Sequence, residues 1–448
     1  MRRNARITSA EPDEILDIVE REPLNGVNVA TAVTRLARRS RPDRFQPRAG
    51  DARWATLARR VRDLAPELGA REVANAVHGY AMLDRDERVP RRHVPLHALA
   101  GELPRVAACM RPQHVGNALW GFGRLRALGK PPPDAHDALE AAVAREARRF
   151  KSQELANALW GLAMLARKPG AAAAEALFAA AAALADDGAL DRQACTNVFW
   201  SLASLSLAPP ERTWAALRRA LQRHAPELDR QELCNVLWAV RVLAELPGQP
   251  CDAGTLAALG DAVALRGPEL DVQCFANCCR LVRALDWVPG AAALDAIYSA
   301  GLRLAPKLMP AAVAAALAGF ARLGGERPAA AAAADAALAA LGREARRMRA
   351  PELFAALTSL PDLGRDVPEK ARAQLDLAVE GEGGTFQPET ADLALRAYAR
   401  LDPPPRDSLV RKLAAFCEPA ARRDLGLLFP TIAGADFPRT SDVAPDVG

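Results

Sequence analysis

The chain has 448 residues, half of them apolar, which suits either two or three globular domains or one long array of small units. Its formal net charge is only +5, from 59 basic and 54 acidic residues, so bulk charge does not mark a nucleic-acid binder and the distribution of charge must decide. Eight scattered Cys argue against a disulfide framework and for reduced thiols inside a cell, and frequent Arg, Asp and Pro leave no apolar run long enough for membrane insertion.

In chain order, residues 1–11 come first. "MRRNARITSA" carries Arg and Ser and lacks acids, as organelle transit peptides do, and the segment reads as an N-terminal extension, a candidate remnant of a targeting signal. A helical pattern opens at once behind it with "DEILDIV". Residues 12–401 then carry a motif that recurs about every forty residues, plainest as "NALWGFGRL" from Asn117, "NALWGLAML" from Asn157, "NVFWSLASL" from Asn197 and "NVLWAVRVL" from Asn235. With Asn as anchor, ten registers align at Asn28, Asn75, Asn117, Asn157, Asn197, Asn235, Asn277, Ala315, Ala355 and Leu393, at intervals of 38 to 47 residues. The best copies lie at 71–243, and a period near forty means stacked repeats. Residues 402–435 read as C-terminal capping helices and 436–448 as a disordered tail.

Two columns in the alignment carry the packing. Leu stands eight residues after every anchor, from Leu36 to Leu401, and four residues after the anchor the side chain is small in every copy except Leu281. Small residues there let a neighbouring helix approach closely. Within "SQELANALWGLAMLAR", Leu155, Leu159, Leu162 and Ala166 share one helical face while Gln153, Asn157, Trp160 and Met164 share the opposite one. Upstream lies a second helical pattern, "DAHDALEAAVAREARRF" from Asp134, opened by Pro131–Pro133 as suits a helix start. The fold class expected is all-α: an α-solenoid of about ten antiparallel helix pairs.

Proline opening one helix, as in Pro209, Pro210 and Trp214, and "QELANALWGLAML" or "QELCNVLWAV" in the next, resembles the octotricopeptide repeat family of algal organelles. The resemblance covers about residues 12–401. It implies a helical superhelix that binds single-stranded RNA in a chloroplast or mitochondrion and affects processing, stability or translation of transcripts or ribosomal RNA, with RNA-processing or ribosomal proteins as further partners. No module of a nuclease-like fold follows Leu401, so no catalytic role comes with it.

Arginine outnumbers lysine 53 to 6 and recurs twelve residues before the anchor at Arg105, Arg145, Arg223, Arg303 and Arg343, with Arg148, Arg149 and Arg346 beside them. Equivalent positions in a regular stack fall on one ridge, so these eight form a candidate phosphate stripe for RNA. Cations at a helix C-terminus also offset its dipole, and both readings stand. Variable positions at the mouth of the motif helix add Arg111, Lys151, Arg192, Arg230 and Arg349 as weaker RNA candidates, against which stands capping chemistry, strongest where Asp229 precedes Glu232.

The recurring Asn either contacts a base or ribose or bridges backbone between repeats. Its constancy favours the bridge, since an invariant amide spells no sequence. Trp120, Trp160, Trp200 and Trp238 either stack on bases or pack in the core, and packing is favoured. Catalysis finds no support: Cys274, Cys278 and Cys279 have no His nearby, Pro95 disrupts the spacing of His93 and His97, and neither a Walker loop nor a nucleophile elbow occurs. No cofactor or metal is implied. The rival to RNA binding is a protein-interaction scaffold, or a structural subunit of an organellar ribonucleoprotein.

Overall fold

A computed structural model describes residues 2–39, 50–324, 327–382, 385–425 and 427–432, and among these every regular element is helical. The chain is an all-α protein whose helices pack in sequence order, in two compact units. The first comprises Met1–His224 with Leu246–Pro250, the second Ala225–Glu245 with Cys251–Gly448.

The first unit contains α1 (Arg2–Ser9), α2 (Pro12–Arg21), α3 (Gly26–Arg39), α4 (Arg53–Leu64), α5 (Ala70–Arg85), α6 (Leu96–Gly101), α7 (Leu103–Val106), α8 (Pro112–Arg124), α9 (Pro133–Glu146), α10 (Ser152–Met164), α11 (Ala171–Asp186), α12 (Arg192–Ser204) and α13 (Glu211–His224). The motif helices α3, α5, α8, α10 and α12 pack side by side as one layer. The second layer holds the intervening helices, with α2 against α4, α7 against α9, α9 against α11 and α11 against α13. The segment expected to be an N-terminal extension is helical: α1 lies against α3, with Ile7 fully buried. Segment 246–250 joins this unit because the indole N–H of Trp214 and a guanidinium nitrogen of Arg218 both donate to the carbonyl of Pro250, at 2.9 and 2.8 Å.

The second unit repeats the plan with α14 (Arg230–Ala244), α15 (Ala253–Arg266), α16 (Val272–Leu285), α17 (Ala291–Leu304), α18 (Pro310–Leu323), α19 (Pro328–Glu344), α20 (Ala350–Ser359), α21 (Glu369–Glu382), α22 (Pro388–Tyr398), α23 (Asp407–Ala414) and α24 (Pro419–Leu425). Motif helices α14, α16, α18, α20 and α22 form one layer, and α15, α17, α19, α21 and α23 the other. Helices α23 and α24 fall in the segment 402–435, where Leu413, Cys417 and Leu425 are buried. Residues 436–448, expected as a tail, lie outside the described residues.

The alignment's columns have physical counterparts. All ten anchors sit in the motif helices, and the Leu eight residues on is buried from Leu36 through Leu243. The small column marks the closest helix contacts: a Cβ added to Gly161 would lie 2.3 Å from the carbonyl oxygen of Leu119, and one on Gly121 2.6 Å from Val77 Cγ1. In the second unit a Cβ on Gly319 would lie 2.7 Å from Cys279 Cβ. Nine residues after the anchor φ turns positive at Ala166, Ser206, Asp286, Gly324 and Gly364, at or just past the end of the motif helix in the first four and after the turn Leu360–Asp362 in the last. This column accepts Ala, Ser and Asp as well as Gly, so residue type conceals it.

Candidate nucleic-acid interface

The guanidinium groups of the arginine column have protein partners. Most intervening helices end in a 3₁₀ turn, such as Ala107–Cys109 or Ala305–Lys307, although α11 ends at Asp186 without one. Such a turn leaves carbonyls without a helical partner. Arg105 donates to Leu68 O at 2.8 Å, Arg145 to Ala107 O at 3.0 Å and Met110 O at 3.2 Å, and Arg223 to Ala185 O at 2.6 Å. In the second unit Arg303 donates to Leu270 O at 2.8 Å and Arg343 to Ala305 O at 2.7 Å. Each is a strut from one repeat to the carbonyls of the repeat before it, a role that neither the phosphate nor the dipole reading anticipated. Arg266 joins the set through its Nε, 2.9 Å from Leu228 O, and had escaped notice because it stands one residue out of register.

The neighbouring cations are exposed and mostly ion-paired. Arg148 meets Glu175 at 3.3 Å and Arg149 meets Glu146 at 3.1 Å, while Arg346 is exposed on the turn Ala345–Arg347. At the mouths of the motif helices the backbone N–H groups of Arg111, Lys151 and Arg349 donate to His114, Glu154 and Glu352 at 3.3, 2.7 and 2.9 Å, so these positions are helix caps whose own cationic side chains are exposed. Arg192 is partly exposed behind its cap Asp191, and Arg230 is ion-paired with Asp271. Asp229 and Glu232 form the reciprocal box expected of them, at 2.8 and 2.9 Å.

Where the amides and rings go departs from expectation. A bridge from the Asn to the preceding repeat exists at Asn277, whose Nδ2 donates to Cys234 O at 3.0 Å. Asn28 bonds instead to its neighbour Asn25, and Asn235 accepts from Gln231 at 3.1 Å. Asn75, Asn117, Asn157 and Asn197 are partly exposed, and among the described residues their side-chain amides have no hydrogen-bond partner. The ring three residues on is partly exposed too, at His78, Trp120, Trp160, Trp200 and Trp238, so these rings are not fully packed into the core as expected. His78 and Trp120 have ring centroids 4.9 Å apart, and Trp120 and Trp160 6.1 Å apart, both pairs tilted. The fully buried indoles among the described residues include Trp54 and Trp214, both on intervening helices.

Gln113, Gln153 and Gln193, exposed four residues before the anchors, complete the same helical face. The outer face of α5, α8, α10 and α12 is therefore a strip of glutamine, asparagine and aromatic side chains. The amides offer donors and acceptors to base edges, and the rings offer apolar faces and edges. Burial and the nearby charges of Arg38 and Arg85 push the His78 imidazole below its usual range, so it is a neutral ring at physiological pH. In the second unit α14 carries the same positions as Gln231, Asn235 and Trp238, whereas Ala311, Ala315, Ala318, Pro351 and Ala355 on the later motif helices line a groove beside Arg280 and Arg283.

The Cys274, Cys278 and Cys279 thiols are buried, and burial pushes Cys279 up to about 12. Among the described residues no group of His, Cys, Asp and Glu is placed to hold a metal ion, and no helix is long and apolar enough to cross a membrane.

No family model and no curated protein matches the chain. Among solved structures it is similar at 10% identity to a chain of a homology model of the full-length AP-3 complex in an intermediate open conformation, covering 96% of this chain and 86% of that one at a TM-score of 0.31. An engineered protein is 13% identical over 85% of this chain and 97% of its own, at a TM-score of 0.20.

Proposed function

We propose that the chain binds single-stranded RNA along the strip formed by α5, α8, α10 and α12, and acts by occupying RNA and recruiting or blocking other factors, without catalysis of its own. The observation that supports this most is the pairing, repeat after repeat, of an unpartnered amide with an aromatic ring at the surface. A partly exposed amide beside a partly exposed ring offers donors, acceptors and an apolar edge together, and bases present both edges and faces to such a strip. An amide and ring that recur unchanged suit binding that tolerates sequence, with preferences coming from the Gln, Arg and variable positions beside them. The organellar setting, in chloroplast or mitochondrion, and a role in RNA processing, stability or translation belong to the same proposal and rest on the octotricopeptide resemblance.

The arginine struts take a lesser part in this reading than the sequence suggested. Their carbonyl bonds use part of each guanidinium, and what is left exposed adds a diffuse positive field to the edge of the stack. The alanine-lined groove of the second unit favours a second reading, a scaffold that receives an apolar helix there.

The test is tryptophan fluorescence and anisotropy with a single-stranded RNA of mixed sequence. Binding quenches the intrinsic emission, and Trp120→Ala or Trp160→Ala weakens affinity about 5- to 150-fold, as loss of about 1–3 kcal/mol of stacking requires. An RNA that fails to bind at low salt, or binds both variants as tightly as the parent, removes the strip from consideration and leaves the scaffold.

A further inference from the structure

Beyond His78 the strip changes character. Helix α3 has Thr31 where the next ring would stand, and Arg35 follows four residues later. There a pocket of about 240 Å³ opens between α1, α3 and α5, lined by Asn4, Thr31, Arg35, Arg38, Arg71, Glu72 and other polar groups. Unlike the struts, Arg35, Arg38 and Arg71 make no ion pair or side-chain hydrogen bond with any described residue. The single carboxylate in the lining, Glu72, is folded back over the start of its own helix, with Oε2 2.8 Å from where a Cβ on Gly69 would lie. Three guanidinium groups against one carboxylate leave an excess of two positive charges around a small polar space.

Chemistry and size narrow what fits. The volume falls below the roughly 300–1,000 Å³ of sites that enclose a whole small molecule, so the pocket suits a charged group rather than a cofactor. Arginine forks match phosphate oxygens in pairs, and two excess positive charges match a phosphomonoester, which carries about −1.5 to −2 at neutral pH, better than the single charge of an internal linkage. The location agrees: the pocket adjoins Asn75, three residues and about one turn along the helix face from His78, where the row of rings stops and base stacking ends with it.

We propose that this pocket holds the terminal phosphate of the RNA strand whose bases lie along the rings, so that the protein selects RNA ends bearing a phosphomonoester. The inference rests on the RNA reading above. The 5′ and 3′ ends carry the same chemistry, and the experiment separates them.

The full chain is titrated by anisotropy, at one salt concentration, with an oligoribonucleotide of about eight residues prepared in three forms: 5′-phosphate, 3′-phosphate, and hydroxyl at both ends. One phosphorylated form binds about tenfold more tightly than the hydroxyl form, as charge-assisted bonds from paired guanidiniums require. In Arg35→Gln/Arg71→Gln, and separately in Arg38→Gln, that advantage falls to less than about twofold. The hydroxyl form keeps its affinity within about threefold, since one or two lost surface charges act on it only through the screened field. These side chains are at least partly exposed and unpaired, so the variants keep the fold, which circular dichroism checks. Equal binding of all three forms, or an end preference that survives in the variants, overturns the pocket assignment while the RNA reading stands. Binding of none of them overturns both.

Discussion

Gly161 is the sharpest point of contact in the first unit. Replacing it by Ala puts a methyl group 2.3 Å from the carbonyl oxygen and 2.4 Å from the carbonyl carbon of Leu119. Carbon–oxygen contacts in proteins settle near 3.3–3.6 Å, so α8 and α10 must separate by about 1 Å. No side-chain rotation relieves the clash, because the opposing atoms are backbone. Sliding is blocked as well: in the same seam a Cβ on Gly123 would lie 2.9 Å from Gly161 Cα, and one on Gly116 3.2 Å from Glu154 Cα. Overpacking of this kind costs about 1–3 kcal/mol and sometimes more, against about 1 kcal/mol gained from the better helix propensity of Ala. With backbone on both sides the upper end applies, leaving a net loss of roughly 2 kcal/mol, or a fall in Tm of about 4–8 °C for a unit of this size. Gly101→Ala is the matched control, since a Cβ there meets nothing within 4 Å and the change is neutral or stabilising by up to about 1 kcal/mol. Thermal and urea unfolding of the two variants beside the parent decide the matter. A Gly161→Ala protein as stable as Gly101→Ala would refute the claim that the small column exists to let motif helices touch.

Two further outcomes follow from the struts and the histidines. Arg145→Ala should cost roughly 1 kcal/mol by urea unfolding, because it removes bonds to two carbonyls of the preceding repeat, and Arg145→Lys should recover only part of it. Arg148→Ala, whose partner Glu175 is itself exposed, should stay within about 0.5 kcal/mol of the parent, and equal losses at both positions would contradict the strut. Burial holds His78, His93 and His114 below the ordinary imidazole value. The unfolded chain therefore takes up these protons first as pH falls: their contribution is complete above about pH 6.5 and is lost progressively below it. Tm should drop between pH 7.5 and 5.5, less steeply in His78→Gln, and a flat profile over that window would show the three rings to be unperturbed.

Periodicity made the architecture legible before any coordinates. An all-α chain of helix pairs, the ten anchor helices and the close approach at Gly79, Gly121, Gly161 and Gly319 all follow from apolar spacing and side-chain size, which act locally and repeat with the unit. The capping box at Asp229 and Glu232 was readable for the same reason, since its partners are three residues apart. Partners some forty residues apart were not. The sequence alone places Arg145 in a candidate phosphate stripe, and only packing against the previous repeat turns its guanidinium onto Ala107 and Met110. An Asn in an apolar helix can face a seam or solvent. Asn277 faces the seam and bonds Cys234, whereas Asn157, in the same register, faces outward beside Trp160. A motif helix has four sides and the sequence names only which are apolar; the neighbours decide which of the remaining sides stays open, and it is on that open side that the candidate site lies.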